Sequence, residues 1–210
     1  VKIIDVEQGT DAWMQARLGL ATASCFQDII AESRSKTQES TSRRNLRLKL
    51  VLERITGRKA QSFESFATRQ GTEREPAARL AYEIETGETV TQVGFVRHAV
   101  LEAGASPDGL TVDGGLEIKS PQPAAHLFVL RSGKVPAEYV AQVQGGLWLC
   151  QRKVWSFCSY NPEFSERLQL KIIRVPRDQA YIDRLAAEVT VFLDEVREEV
   201  AELVRMEAAA

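Results

Sequence analysis

Residues 106 to 121 read SPDGLTVDGGLEIKSP and bring two acids and a lysine into a short space. In a β-strand alternate side chains face the same way, so Glu117 and Lys119 share one face while Ile118 points into the core. The triplet Asp113-Gly114-Gly115 predicts a hairpin turn between extended runs at 110–112 and 116–118. Folding back at that turn brings Asp108 close to Glu117 across the strand pair. Two carboxylates aimed at one point repel each other unless a cation lies between them. Hard oxygen donors with open positions favour Mg²⁺, with Mn²⁺ as the substitute, over zinc. The backbone carbonyl of Ile118 could supply a further oxygen. Lys119 is then placed to orient or deprotonate a water attacking a phosphodiester, or to stabilise charge developing on the phosphorane. The competing reading of the segment is a surface hairpin with an exposed Glu and Lys. The strongly apolar strand around the ExK triplet, following a good turn, favours the chemical one.

The surrounding elements must hold these groups in place. Thr10 and Asp11 predict a helix through Leu18 stopped by Gly19, and Thr22 a second helix running to about Ala31. Residues 32–41 read as a polar loop. Apolar positions from Ser42 to Ile55 mix with Arg and Lys, so a basic amphipathic helix is expected there, closed by Gly57. Residues 68–86 form another helical stretch, with a kink or a start expected near Pro76. The pattern then turns extended over 89–96 and around 103–105, returns to helix over 137–149, and gives two strands over 154–160 and 168–175. A long acidic amphipathic helix is expected from about Asp178. Helices, then a mixed strand cluster with one embedded helix, then a helical tail define an α/β or α+β class.

Length and composition suit a single domain over 1–210, with 44% apolar and 27% charged residues and no signature of disorder. No secretory leader or membrane span is legible, which predicts a cytoplasmic protein. Cys25, Cys150 and Cys158 are odd in number and lack CxxC spacing, so buried free thiols are expected rather than a disulfide framework or a zinc or iron-sulfur site. The net charge of −2 excludes binding of nucleic acid by bulk attraction and demands a local basic surface. Charge is segregated along the chain, from a net +4 over residues 1–60 to a net −5 over residues 181–210.

Five blocks in order, GTDAWMQARLGLATAS at 9–24, GTEREPAAR at 71–79, SPDGL at 106–110, LEIKSP at 116–121 and EYVAQVQGGLW at 138–148, carry a resemblance that spans nearly the whole chain. The sequence resembles the PD-(D/E)xK nuclease superfamily and, within it, the phage lambda exonuclease-like (YqaJ-type viral recombinase) family. The resemblance implies a restriction-endonuclease-like fold, a central mixed β-sheet flanked by helices with a C-terminal helix. It also implies that Asp108 and Glu117 bind metal, commonly two ions, that Lys119 is catalytic, and that Glu75 supports the metal site; by residue type alone Glu75 would read as an exposed helical acid. Arg17, Ser24, Ser106 and Gln142 match positions that in the family bind phosphate near the cleavage site. The chemistry agrees for Arg17, a charged fork, and for Ser24, near a helix N-terminus. Outside the resemblance, Arg17 would read as a surface residue and Gln142 as a satisfied core glutamine. Gln144 and Trp13 are given no role beyond packing, although Trp13 could stack on a base.

The family's members form a three-subunit ring that threads duplex DNA and digests one strand from its 5′ end. The expected protein is therefore a processive, Mg²⁺-dependent 5′→3′ exonuclease of phage or prophage origin, working in a bacterial host. It would act on linear duplex DNA with a 5′-phosphate and supply 3′ single strands to an annealing protein. The basic early residues Arg34, Arg43, Arg44 and Arg47 are expected to face DNA and the acidic last helix to face away. The chain departs from the family just before the GxxxE helix, where an apolar strand-separating side chain belongs and Phe66-Ala67-Thr68-Arg69 stands instead. The competing activities are an endonuclease or CRISPR-associated nuclease of the same superfamily, or a DNA-end-binding scaffold with no catalysis. Three scattered cysteines argue against the CRISPR type, whose members usually carry four, and the intact triad argues against the scaffold.

Overall fold

A computed structural model describes residues 1–33, 38–60 and 66–209, and for residues 66–69 and Thr72 it describes the backbone alone. Arg34 lies outside the described residues, as do the side chains of the Phe66–Arg69 segment.

After a short first strand, β1 (Lys2–Ile4), Thr10 caps α1 (Asp11–Arg17) by accepting from the Trp13 N–H, and Gly19 at φ 67° lets the chain turn away. β2 (Ala21–Thr22) follows. The single helix expected over 22–31 is instead a 3₁₀ turn, Ala23–Cys25, running into a short α2 (Phe26–Ile29). Thr22 does not act as a cap because its hydroxyl is shared with Ser24 Oγ at 3.0 Å. Gly57 closes α3 (Thr41–Thr56) as the sequence predicts, while Ser40, in the expected loop, caps its start by accepting from the Arg43 N–H. α4 (Phe66–Thr86) starts ten residues upstream of Pro76 and continues through it, so the proline does not mark a helix start.

Two four-stranded sheets come next. β3 (Phe95–Arg97) and β4 (Ala103–Ala105) join β1 and β2 in the order β1-β3-β4-β2. β5 (Gly109–Leu110) and β6 (Gly114–Lys119) pair antiparallel. α5 (Pro123–Ser132) and α6 (Ala137–Leu149) then carry the chain over to β7 (Val154–Tyr160), which pairs parallel to β6, as a crossover of this length permits. β8 (Leu170–Pro176) completes the second sheet, and Asp178 caps the long α7 (Gln179–Ala208). An isolated bridge between Thr91 and Leu110 connects the approach to β3 with the second sheet. The class is mixed α/β, as expected. Two helices rather than one are embedded among the strands, since the sequence reading passed over α5. The hairpin turn also falls earlier than expected. The Thr111 N–H bonds to the Gly114 carbonyl, so Val112 and Asp113 form the corner and both glycines belong to β6.

The parity of β6 and β7 decides which groups meet which helix. Leu116, Ile118, Cys158 and Tyr160 pack with Ala78 and Tyr82 of α4 in one buried cluster. Trp155 and Phe157, on the opposite face, belong to the larger core with Ala141, Val143 and Leu147 of α6, Leu46 and Leu50 of α3, and Leu185, Val189, Phe192 and Val196 of α7. Glu117 and Lys119 alternate with Leu116 and Ile118 and so share the α6 side. They stand on a covered face rather than on an exposed hairpin, and Glu117 is only 4% exposed. The cysteines are free thiols; Cys150 and Cys158 are buried, Cys25 is half-buried, and burial pushes Cys150 up to about 12.

The charge segregation has an internal use. Arg43 bonds Glu39 of its own segment and Glu195 of α7, while Arg47 bonds Glu39 and pairs with Glu199 of α7. The expectation that Arg43 and Arg47 face DNA is therefore corrected: α3 and α7 pack together, and both guanidinium groups are engaged with Glu195 and Glu199 of α7, while Arg44 is exposed. Among the described residues no helix is long and apolar enough to cross a membrane.

Candidate active site

The β5–β6 hairpin sets Gly109 opposite Leu116, so one step back along β5 Asp108 stands opposite Glu117. The Asp108 N–H donates to the Leu116 carbonyl at 3.1 Å, and Asp108 Oδ2 accepts from the Ile118 N–H at 2.5 Å. Each bond ties Asp108 to the strand that carries Glu117. Glu117 Oε1 in turn receives Lys119 Nζ and Gln142 Nε2, each at 2.6 Å. Gln142 is on α6, so the helix that covers this face also holds the carboxylate. Glu75 of α4 pairs with Arg79 one turn on, and Arg79 Nε donates to the Asp108 carbonyl at 3.1 Å. Glu75 is half-buried and linked to Asp108 through Arg79, which excludes the free surface acid its residue type alone would suggest.

The electrostatics follow from this crowding. Burial, reinforced by the charges of Glu117 and Glu75, holds the Asp108 carboxyl well above the ordinary carboxylate range. Burial also raises Glu75, aided by Glu117 and opposed by Arg79. For Lys119 burial acts downward, but the charge and hydrogen bond of Glu117 and the charge of Asp108 outweigh it, and the ammonium is held up. Lys119 is thus a cation in the metal-free protein, placed to donate and to stabilise negative charge.

The donor set fits a hard divalent cation. Asp108 is destabilised as an anion by two neighbouring carboxylates, and the oxygens on hand are carboxylate and peptide oxygens, without thiolate or imidazole. Among the described residues no three His, Cys, Asp or Glu side chains gather closely enough to hold a metal together, so Glu75 is not a third direct ligand. Asp108, Glu117 and the carbonyl of Ile118 would form an open set, with positions left for water and substrate.

The expected phosphate-binding residues line one cleft with these acids. A space of about 310 Å³ is walled by Gln8, Trp13, Arg17, Ser24, Ser106, Asp108, Glu117, Lys119, Gln142 and Trp155, among others. Arg17 lies with its guanidinium carbon 3.9 Å above the Trp13 ring, and burial lowers its pKa. It is half-buried, not the surface residue its type suggests, and among the described residues no ion pair is made by it. Trp13 Nε1 donates to Ser106 Oγ at 2.9 Å and to the Gly94 carbonyl at 3.1 Å, so it fixes the rim of the cleft. Gln144 is settled differently. Its amide donates to the Pro176 carbonyl and accepts from the Asp178 N–H, which makes it a core clamp between β8 and α7.

Three contributors escaped the sequence reading. Gln8 donates to the Val93 and Pro107 carbonyls and fixes the approach to Asp108 from far away in the chain; nothing local marks it. Arg79 closes the 71–79 block four residues after Glu75, a helical spacing that could have marked it. Tyr139 sits under Lys119, whose Nζ is 5.0 Å from its ring centroid, three residues before Gln142 on the same face of α6.

This geometry has close counterparts among known proteins. A crystal structure of an alkaline exonuclease, LHK-Exo, from Laribacter hongkongensis is 37% identical, covers 95% of this chain and 99% of its own, and superposes at a TM-score of 0.88. The same enzyme in complex with dAMP superposes at 0.86 over the same span. A phage-related exonuclease from Haemophilus somnus 129PT, 14% identical over 90% of this chain and 99% of its own, shares the fold at 0.69. The ExoD protein of Escherichia coli K12 is 28% identical over 69 residues, 33% of this chain and 78% of that protein. The family model of the YqaJ-like viral recombinase domain matches residues 12–153, and the chain belongs to that family.

Proposed function

We propose that the chain is a Mg²⁺-dependent deoxyribonuclease, a processive 5′→3′ exonuclease that degrades one strand of linear double-stranded DNA to mononucleotides and leaves 3′ single strands. The observation that carries this reading is the convergence of Asp108, Glu117 and Lys119 in one cleft with Arg17, Ser24, Ser106 and Gln142. Asp108, Glu117 and the Ile118 carbonyl would hold Mg²⁺ or Mn²⁺, with two ions per site expected in the working enzyme. When bound, the cation neutralises the crowded carboxylates, polarises the phosphate and acidifies water.

The protein's own groups do the rest. Lys119 orients the attacking water and stabilises charge on the phosphoryl oxygens, in keeping with its raised pKa; the alternative role of general base would need the ammonium to lose its proton. Gln142 fixes Glu117, and Glu75 with Arg79 braces Asp108. Arg17 and Ser24, which line the same cleft, take the 5′-terminal phosphate, and the half-buried guanidinium is suited to a doubly charged anion. The dAMP bound by LHK-Exo is a 5′-mononucleotide, the class of product such cleavage releases. Family membership supports assembly into a three-subunit ring and work beside a single-strand annealing protein.

The test is digestion of end-labelled linear duplex bearing a 5′-phosphate or 5′-hydroxyl, with a closed circle as control and Lys119→Ala alongside. Mononucleotides released first from phosphorylated 5′ ends in Mg²⁺, with circle intact and variant inactive, are expected. Cutting of the circle would point to an endonuclease, and intact DNA in Mg²⁺ would leave an end-binding scaffold.

A further inference from the structure

A second pocket adjoins the candidate active site at Lys119, and its lining differs from that of the cleft. It measures about 380 Å³ and is walled by Pro121, Phe128, Pro136, Tyr139 and Phe157 around Lys119. The two spaces follow one another along three elements. Along β6 the cleft holds Glu117 and Lys119, and the pocket Lys119 and, two residues past the strand, Pro121. On β7 the cleft has Trp155 and the pocket Phe157 and Ser159. On α6, which runs the other way, the cleft has Gly146 and Gln142 and the pocket Tyr139 and Ala137. Lys119 is therefore the junction with this pocket, whereas Arg17 and Ser24 stand where the cleft borders a different space, lined by Met14, Leu46 and Lys49.

We infer that this pocket receives a nucleobase of the cleaved strand, that of the second nucleotide from the 5′ end, which becomes terminal after the cut. The inference rests on the proposed nuclease reading and adds the site for a base to it. A phosphate suits the space poorly. Its charged residues are Lys119, committed to Glu117, and Glu138, which would repel an anion. A flat apolar group suits it well. Phe157 is buried with its ring centroid 5.5 Å from that of Tyr139, and Phe128, 60% exposed, offers an exposed ring to stack on. Pockets of this size and character commonly take groups the size of a base or larger. The order of the spaces sets the position: with the 5′-phosphate at Arg17 and the scissile phosphate by Lys119, the base beyond Lys119 is the second.

Phe128 is exposed and outside the catalytic set, so Phe128→Ala should fold normally, which a thermal melt checks. Two substrates decide the matter, one abasic at the second nucleotide and one abasic at the first. For the wild type, the abasic second position should raise KM roughly 5- to 100-fold, the scale of one lost base–aromatic stack. Phe128→Ala should raise KM similarly on intact DNA and show no further response to that abasic position. The inference is overturned if the abasic second position costs nothing, or if its cost persists undiminished in Phe128→Ala. A binding readout separates this from the nuclease reading. With 2-aminopurine at the second nucleotide and the Asp108→Asn protein, fluorescence should be quenched on binding and recover in the Phe128→Ala double variant. Intact DNA throughout would overturn the nuclease reading while the quenching still decides the pocket, and absence of quenching overturns it. A changed oligomeric state in Phe128→Ala with unaltered DNA behaviour would make this face a protein contact and also overturn it.

Discussion

Arg43 of α3 holds Glu195 of α7 with both terminal guanidinium nitrogens, at 2.7 and 2.9 Å, and shares one of them with Glu39 at 2.6 Å. This clamp is where the opposite charges of the chain's two ends meet. A bidentate, networked pair exceeds an isolated surface pair, so Arg43→Ala should cost on the order of 1–2 kcal/mol and lower Tm by about 2–8 °C. The salt dependence of DNA binding should not change. A slope reduced by about one counterion would instead put Arg43 on a phosphate, as its sequence position first suggested.

Gln142 donates to Glu117 at 2.6 Å from a helix that is otherwise largely apolar on that face. Gln142→Ala should lower Mg²⁺ affinity or activity about 10- to 100-fold, the usual effect of losing a group that orients a metal ligand, with little change in Tm. Gln144→Ala separates the two glutamines: its loss unclamps Pro176 and Asp178, so it should lower Tm and leave the Mg²⁺ titration unchanged. A reversal of these two phenotypes in melting and metal-titration measurements would overturn the assignment.

These glutamines also show how far sequence reaches. The triad, α6 and the start of α7 were legible because strand parity, turn residues and helical periodicity are local. Which of Gln142 and Gln144 faces Glu117 was chosen by resemblance, and local pattern could not choose, since both helix faces are buried. Charge segregation was visible, but its partner was not. Whether Arg43 meets DNA or Glu195 depends on a contact across more than 150 residues of chain. Gln8 is invisible for the same reason. α5 is hard to read although Pro123 marks its start and Gly133 its end, because its apolar positions fall on no single stripe.

Asp108 is raised by burial and by its acidic neighbours, and Glu75 is raised by burial. Groups raised on folding stabilise below their unfolded pKa, and that contribution is lost as pH rises through the folded value, so the metal-free protein is penalised on the alkaline side. Glu39, bonded by Arg47, and Glu88, bonded by Arg174, are depressed and act oppositely: they stabilise above about pH 4.5 and lose this as pH falls through their lower folded values. Mg²⁺ binds the deprotonated acids, so the Tm gained on adding it should be larger at pH 8 than at pH 6. Asp108→Asn keeps an acceptor for Ile118, should raise the metal-free Tm at pH 8, and should abolish both the Mg²⁺ shift and cleavage. An Mg²⁺ shift that survives in this variant would place the cation elsewhere.

Gly115 tests whether the active-site strand depends on close packing beneath it. A Cβ at this position would lie 2.2 Å from the Trp155 ring, and one at Gly146 2.7 Å from the same ring, so the indole is wedged between two glycines on β6 and α6. Trp155 is 1% exposed and belongs to the main core, which leaves it little room to retreat. Gly115→Ala should therefore cost roughly 1–3 kcal/mol. Because Glu117 lies two residues along the same face of β6, the strain should also reach the metal site, lowering Mg²⁺ affinity by more than the loss of stability explains. Gly57→Ala is the control: its Cβ meets nothing within 4 Å, and the cost there is the backbone strain of a φ of 62° at the end of α3. It should lower Tm without moving the Mg²⁺ titration. Equal shifts of that titration in both variants would mean that metal affinity merely follows global stability, and that Trp155 does not hold β6 in register with α6.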